Sequence, residues 1–263
     1  MRDLLKGKRI VVTGSSSGIG WETAKRASEQ GAEVLGIDVT KNFDHVDEFY
    51  RADLSDPRTI DALVEALPGD IDGLVNNAGL PPTRPARQLL AVNLLGLKRL
   101  TLGLIPKLAD GASIVNVASL AGVAWPEAVE AIRASEHLDF DGLDAFIERW
   151  QVGSDGGRSY FFSKEALIVW TLQNRWTWRD REIRMNAVSP GPVATPILGD
   201  FLETLGERAS KDASVMDRPG EAADIAPVIL FALSDLSGWL RGTNIAADGG
   251  MNSHILCEKH GLD

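Results

Sequence analysis

Apolar β-branched runs alternate with helix-like segments along most of the chain, and this alternation limits the fold more than any other feature. RIVVTG (9–14), EVLGID (33–38), GLVNNAG (73–79), SIVNVAS (113–119), IRMNAVSPG (183–191) and TNIAADGG (243–250) read as buried strands. Between them lie helical stretches such as WETAKRASEQG, whose Gly31 is placed to stop a helix as its C′ residue. Strands that are apolar on both faces and separated by helices require a sheet covered on both sides. The expected class is α/β, a doubly wound parallel sheet with right-handed crossovers.

One segment breaks the rhythm. Residues 125–158 carry eight acids and three bases, half the net charge of −10 in about an eighth of the length. Within it Leu143, Phe146, Ile147 and Trp150 fall at i, i+3, i+4 and i+7, an apolar stripe with acids opposite. This predicts a helical insertion that packs on the body, either as a covering helix or as a lid or interface element.

Charge and cysteine usage exclude several classes. A net charge of −10 disfavours nucleic acid and anionic membrane surfaces. A single cysteine, Cys257, forms no intrachain disulfide and no cysteine-rich zinc module. No continuous run of about 18 apolar residues is evident, so no spanning helix is expected. The segment MRDLLKGKRI has no secretory apolar core, which points to the cytoplasm.

The first strand runs into Thr13-Gly-Ser-Ser-Ser-Gly-Ile-Gly20 and then a helix. Gly14, Gly18 and Gly20 leave room for a pyrophosphate, and the helix N-terminus offers free N–H groups and a positive dipole end. Eighteen residues past Gly20, Asp38 ends the next strand. A carboxylate there accepts hydrogen bonds from an adenosine ribose and repels a 2′-phosphate. No Arg or Lys lies between Thr13 and Gly20, and Val39 follows Asp38. The expected cofactor is therefore NAD rather than NADP. The plainer alternative is that Asp38 only closes a turn. The same loop also spells G-x-S-x-G, the hydrolase nucleophile elbow, with Ser16 as nucleophile. That reading needs a histidine, and His45, His137, His254 and His260 all lie in poor contexts for it.

Tyr160 and Lys164 are four residues apart in YFFSKEALIVW, on one face of a helix. The pair suits proton transfer to or from an alcohol oxygen, because a nearby ammonium favours the phenolate.

Taken together, TGSSSGIG, ADL (52–54), NNAG (76–79), VNLLG (92–96), VNVAS (115–119), YFFSK and SPGPVAT (189–195) resemble the short-chain dehydrogenase/reductase superfamily. They occur in the family's order across nearly the whole chain. The resemblance implies a single Rossmann-type domain over 1–263 with about seven strands. It implies Tyr160 as acid/base, with Lys164 lowering its pKa and holding the nicotinamide ribose. Ser119 would hydrogen-bond the substrate oxygen, and Asn93 would position a water in a proton relay. For the cofactor it implies Ser16, Ser17 and Ile19 in the glycine loop and Asp53 and Leu54 at adenine. It also implies Asn77, Ala78 and Gly79 on the adenosine side and Pro190, Gly191, Val193 and Thr195 at the nicotinamide.

Two features depart from the common pattern. The serine strand ends Val-Ala-Ser, and Ser119 and Tyr160 stand 41 residues apart, where the family usually has about a dozen. The acidic insertion fills that gap. In this it is similar to the branch of 3α-hydroxysteroid dehydrogenase/carbonyl reductases and coniferyl-alcohol dehydrogenases, where the insertion obstructs a tetramer interface. The implied assembly is a dimer. SIVNVAS, Trp125-Pro126, KEALIVW (164–170) and RMNAVSPGPVATPIL (184–198) are most similar to the coniferyl-alcohol type. The expected substrate is an aromatic allylic alcohol, with a cyclic secondary alcohol or ketone as alternative. An NAD-binding regulator without chemistry is the alternative from another class, and it would not need Ser119, Tyr160 and Lys164 together. Trp125, Trp150, Phe161 and Phe162 are candidates for aromatic pocket walls or plain core. Residues 198–212 suit a lid or a static surface helix. His254, Cys257 and His260 are spaced three apart, but no fourth metal ligand is evident, and a frayed tail is expected.

Overall fold

The computed structural model describes residues 3–153, 155–206 and 215–262. Its centre is a seven-stranded sheet. The strands are β1 (Arg9–Thr13), β2 (Glu33–Asp38), β3 (Glu48–Arg51), β4 (Ile71–Asn76), β5 (Leu108–Val117), β6 (Arg184–Pro190) and, at one edge, Asn244–Ala247. Their spatial order is β3-β2-β1-β4-β5-β6 and then that edge strand, and every pairing is parallel. This is the Rossmann-type doubly wound sheet. Six of the seven strands were visible as apolar runs. The seventh, β3, is short and partly exposed, so it shows no such run. The order reverses between β1 and β4, which opens a crevice above their carboxyl ends.

Two buried clusters flank the sheet. On one side Val11, Leu74 and Ile114 share a core with Leu100, Leu104 and Leu167. On the other, Val12, Val75 and Val115 pack with Ala24, Ala27 and Ile229. Helix α1 (Gly18–Glu29) leads away from the glycine loop. It ends as expected: Gly31, at φ +84°, donates to the Ser28 carbonyl and Ala32 to that of Ala27. Helix α2 (Pro57–Ala66) joins β3 to β4.

After β4 come α3 (Ala86–Leu90), a π-helical turn (Ala91–Gly96) and α4 (Leu97–Leu104), then a 3-10 turn. Together they form one helix, Ala86–Lys107, of 22 residues, long and apolar enough by length and composition to cross a membrane. It is not a continuous apolar run, since Arg87, Asn93, Lys98 and Arg99 interrupt it. Its apolarity has a core origin: 67% of its most apolar window is buried inside the protein, where it is sandwiched between the sheet and the insertion.

The insertion folds as α5 (Val129–Ala134) and α6 (Leu143–Trp150). Leu143 and Phe146 are buried, and Ile147 and Trp150 pack partly. They join Leu89, Leu90 and Leu94 of the preceding helix and Phe162 and Ala166 of α7 (Arg158–Gln173). The stripe therefore covers the outer face of two helices. Beyond β6 lie a two-residue strand β7 (Val193–Ala194), α8 (Leu198–Leu205) and β8 (Gly220–Glu221), which pairs with β7. Then follow α9 (Ala222–Leu233), the edge strand β9 (Asn244–Ala247) and α10 (Met251–His260).

Candidate active site

A cleft of about 1050 Å³ opens above the carboxyl ends of the strands. Its first wall is the glycine loop. Gly14 and Gly18 hold φ of +68° and +55°, a region that side chains resist. A Cβ on Gly20 would lie 2.0 Å from the Gly14 carbonyl oxygen, so no larger residue fits there. The Thr13 hydroxyl donates to the Val75 carbonyl and accepts from the N–H groups of Asn77 and Ala78, both at 2.9 Å, tying β1 to the end of β4.

Asp38 stands half-buried at the tip of β2 and lines the cleft. One carboxylate oxygen accepts from the Ser16 N–H at 3.1 Å, the other from the Thr40 N–H at 2.9 Å. It both closes a turn and faces the cleft. The Ser16 hydroxyl donates to the Thr40 carbonyl at 2.6 Å. Among the described residues no histidine hydrogen-bonds to it, and the His45 ring meets Trp21 edge-on. The hydrolase elbow is thus a supporting turn.

Most of the expected cofactor residues line this cleft: Gly14, Ser17, Gly18 and Ile19; Asp53 and Leu54; Asn77, Ala78 and Gly79; Pro190, Gly191, Val193 and Thr195. Ser16 and Gly20, also expected at the cofactor, and Asn93, expected to position a water, stand behind this lining. Ser16 points at Thr40, and Gly20 packs beneath Gly14. The glycine cradle, the N-terminus of α1 and the Asp38 carboxylate fit a dinucleotide: pyrophosphate on the loop, ribose at the acid.

The reacting end is built by β5 and α7. Ser119 follows β5 and caps the 3-10 turn Leu120–Gly122, its hydroxyl oxygen accepting from the Ala121 N–H at 3.1 Å. That turn presses on α7 so closely that a Cβ on Gly122 would meet the Lys164 carbonyl at 2.6 Å. Ser119 is thereby brought beside Tyr160 in the cleft lining despite the long insertion between them. The Lys164 ammonium donates to the Val117 carbonyl at 2.8 Å and sits 5.6 Å from the Tyr160 ring centre. Burial pushes the Tyr160 phenol up to about 12, against a smaller lowering by Ser119. Burial pulls Lys164 down to about 8. Burial disfavours the charged form of each group, which raises a phenol and lowers an ammonium.

Asn93 is buried in the π-helical turn. Its side chain accepts from the Leu80 N–H at 2.7 Å and donates to the Leu80 carbonyl at 3.0 Å.

Of the four candidate wall aromatics only Phe161 lines the cleft. Phe162 is fully buried, and Trp125 and Trp150 pack against core clusters, as their size favours. The aromatic that sequence reasoning missed is Phe201 on α8, which meets the Tyr160 ring edge-on at 4.8 Å. It lies within the segment read as a lid, of which residues 207–212 fall outside the described residues. Another missed residue is Ile255, carried into the cleft by α10. That tail is a helix rather than frayed, and no three His, Cys, Asp or Glu residues cluster as metal ligands among the described residues.

The family model for short chain dehydrogenases matches residues 8–135, and that for enoyl-(acyl carrier protein) reductases matches residues 147–252. Coniferyl-alcohol dehydrogenase of Pseudomonas sp. (strain HR199 / DSM 7063) is 42% identical over 252 residues, 95% of this chain and 98% of its own length. The 3-alpha-hydroxysteroid dehydrogenase/carbonyl reductase of Comamonas testosteroni is 29% identical, covering 93% of this chain and 96% of its own. Among solved structures, the 3-alpha-hydroxysteroid dehydrogenase of Pseudomonas sp. B-0831 complexed with NADH superposes with a TM-score of 0.81. It is 29% identical and covers 94% of this chain and 98% of its own.

Proposed function

The chain belongs to the short-chain dehydrogenase/reductase family, and we propose that within it the protein is an NAD-dependent dehydrogenase of aromatic allylic alcohols of the coniferyl type. The observation that carries the reading is the convergence of Ser119, Tyr160 and Lys164 at one end of a cleft whose other end holds Asp38. When bound, the oxidised nicotinamide supplies a hydride acceptor for the carbinol carbon and a positive charge beside the phenol.

The chain's own residues do the rest. Ser119 donates to the substrate oxygen and steadies its developing charge. Tyr160 takes the hydroxyl proton during oxidation and returns it during reduction. Lys164, fixed by the Val117 carbonyl, keeps a cation near the phenol and lowers the cost of its ionised form. Asn93, held by Leu80, positions a water on the route of the proton. Gly14 and Gly18 seat the pyrophosphate, and Gly20 lets the start of α1 pack close beneath them. Asp38 accepts from the ribose and repels a 2′-phosphate, which favours NAD over NADP.

The 42% identity to a coniferyl-alcohol dehydrogenase supports the substrate class, as do Phe161 and Phe201 in the cleft wall. The likeness to an NADH-bound 3-alpha-hydroxysteroid dehydrogenase supports a second reading, a cyclic secondary alcohol or ketone. A homodimer has a face to use: Phe231, Leu236 and the 97% exposed Trp239 lie beside or just before the edge strand β9.

The test is formation of reduced nicotinamide by purified protein with coniferyl, cinnamyl and steroid alcohols, each with NAD and with NADP. Turnover of coniferyl alcohol with NAD, and weak turnover of the steroid, is the expected result. Turnover of the steroid alone would move the function to the second reading.

A further inference from the structure

The substrate end of the cleft is apolar, with Leu120, Val123, Phe161, Phe201, Leu202 and Ile255 on its walls. Outside the expected catalytic and cofactor residues, two polar side chains line the cleft, Gln88 from α3 and Glu127. Glu127 closes the 3-10 turn Trp125–Glu127, eight residues beyond Ser119 and on the same wall. Its carboxylate is 77% exposed and lies 3.9 Å from the 63% exposed Lys259 ammonium. Lys259 sits on α10, one helical turn beyond Ile255, which enters the cleft. A cleft-lining carboxylate from the insertion thus has an ammonium from the C-terminal helix 3.9 Å away, on the solvent side of the lining.

An ion pair this long and this open to water contributes little stability. Its two charges are available to a third group. The carboxylate only accepts hydrogen bonds and the ammonium only donates. Side by side they complement a ring edge that carries a hydroxyl next to an ether oxygen. A conjugated aryl allylic alcohol is rigid and flat. Its ring oxygens therefore sit at a fixed distance from the carbinol held at Ser119 and Tyr160. In an apolar cleft, a few placed polar groups set orientation and discriminate between analogues.

We propose that Glu127 and Lys259 form the specificity-determining pair for the ring end of the substrate, Glu127 accepting the phenol hydroxyl and Lys259 donating to the neighbouring ether oxygen. The proposal rests on the aromatic allylic alcohol reading. A phenol donating to a charged acceptor at a wet rim is expected to give roughly a tenfold preference, about 1.4 kcal/mol.

The experiment compares kcat/KM for coniferyl alcohol and its phenol O-methyl ether in the wild type, Glu127→Ala, Glu127→Gln and Lys259→Met. The wild type is expected to favour the free phenol about tenfold. The ratio should fall to near unity in Glu127→Ala, through KM, and to an intermediate value in the isosteric Glu127→Gln. Lys259→Met should lower it several-fold. Equal use of both substrates by the wild type, which needs no variant to be folded, overturns the pair's role and leaves the functional reading standing. Loss of preference in Gln88→Leu with retention in Glu127→Ala also overturns it, moving the role to α3. No turnover of either substrate overturns the functional reading and this inference with it.

Discussion

Lys164 is buried on α7, and burial draws it from 10.5 to about 8. At 1.4 kcal/mol per tenfold, that displacement amounts to ~3 kcal/mol of native-state cost whenever the lysine is charged in both states. The sign follows from proton counting. Below about pH 8 both folded and unfolded chains hold the proton, so the native state bears the whole cost. Between about pH 8 and 10.5 the unfolded chain binds it and the folded chain does not, so stability rises with pH. Lys164→Met keeps the apolar stem and removes the charge. It also strips the Val117 carbonyl of its 2.8 Å donor, a loss of about 1–3 kcal/mol that does not depend on pH over this range. The difference in unfolding free energy, wild type minus variant, should therefore climb by ~2 kcal/mol between about pH 7 and pH 9.5. Tyr160, raised to about 12, loses its stabilising contribution only above its unfolded value near 10 and cancels in the difference. Urea unfolding at both pH values, followed by fluorescence of the seven tryptophans, gives the number. A flat difference would show that Lys164 titrates as it does in water, and the burial argument for the catalytic pair would be wrong.

Three further outcomes are expected. Gly20→Ala forces a Cβ to 2.0 Å from the Gly14 carbonyl; the loop must shift, with ~1–3 kcal/mol lost in urea unfolding and weaker NAD binding by calorimetry. Asp38→Ala removes both the ribose acceptor and the repulsion of a 2′-phosphate. The ratio of kcat/KM for NAD over NADP should drop by about tenfold or more, and an unchanged ratio would remove Asp38 from cofactor choice. Trp239→Glu places a charge on the most exposed large apolar residue and should shift sedimentation from dimer to monomer.

Much of this was legible in the sequence for physical reasons. Strands buried on both faces have to be apolar, so β1, β2, β4, β5, β6 and β9 announce themselves, while the half-exposed β3 does not. The glycine loop is visible because backbone geometry restricts residue type there, and Asp38 because it ends the next strand eighteen residues past Gly20. Tyr160 and Lys164 are visible because one turn of helix fixes their spacing. What touches what across the cleft was not legible. Phe162 follows Phe161 directly, yet one lines the cleft and the other is fully buried, because adjacent helix positions point about 100° apart. Phe201 and Ile255 reach the cleft through the placement of α8 and α10, which no local pattern encodes. The 22-residue helix looked interrupted by Arg87, Lys98 and Arg99, whose long stems let an otherwise buried helix carry charge.

The most direct measurement is a comparison of wild type and Tyr160→Phe with NAD and coniferyl alcohol, reading reduced nicotinamide for turnover and ligand-induced fluorescence change for NAD binding. The expected result is rapid formation of reduced cofactor by the wild type and a loss of at least about 100-fold in the variant, with NAD binding retained. Turnover by Tyr160→Phe at the wild-type rate would contradict the assignment of Tyr160 as the proton-transfer group.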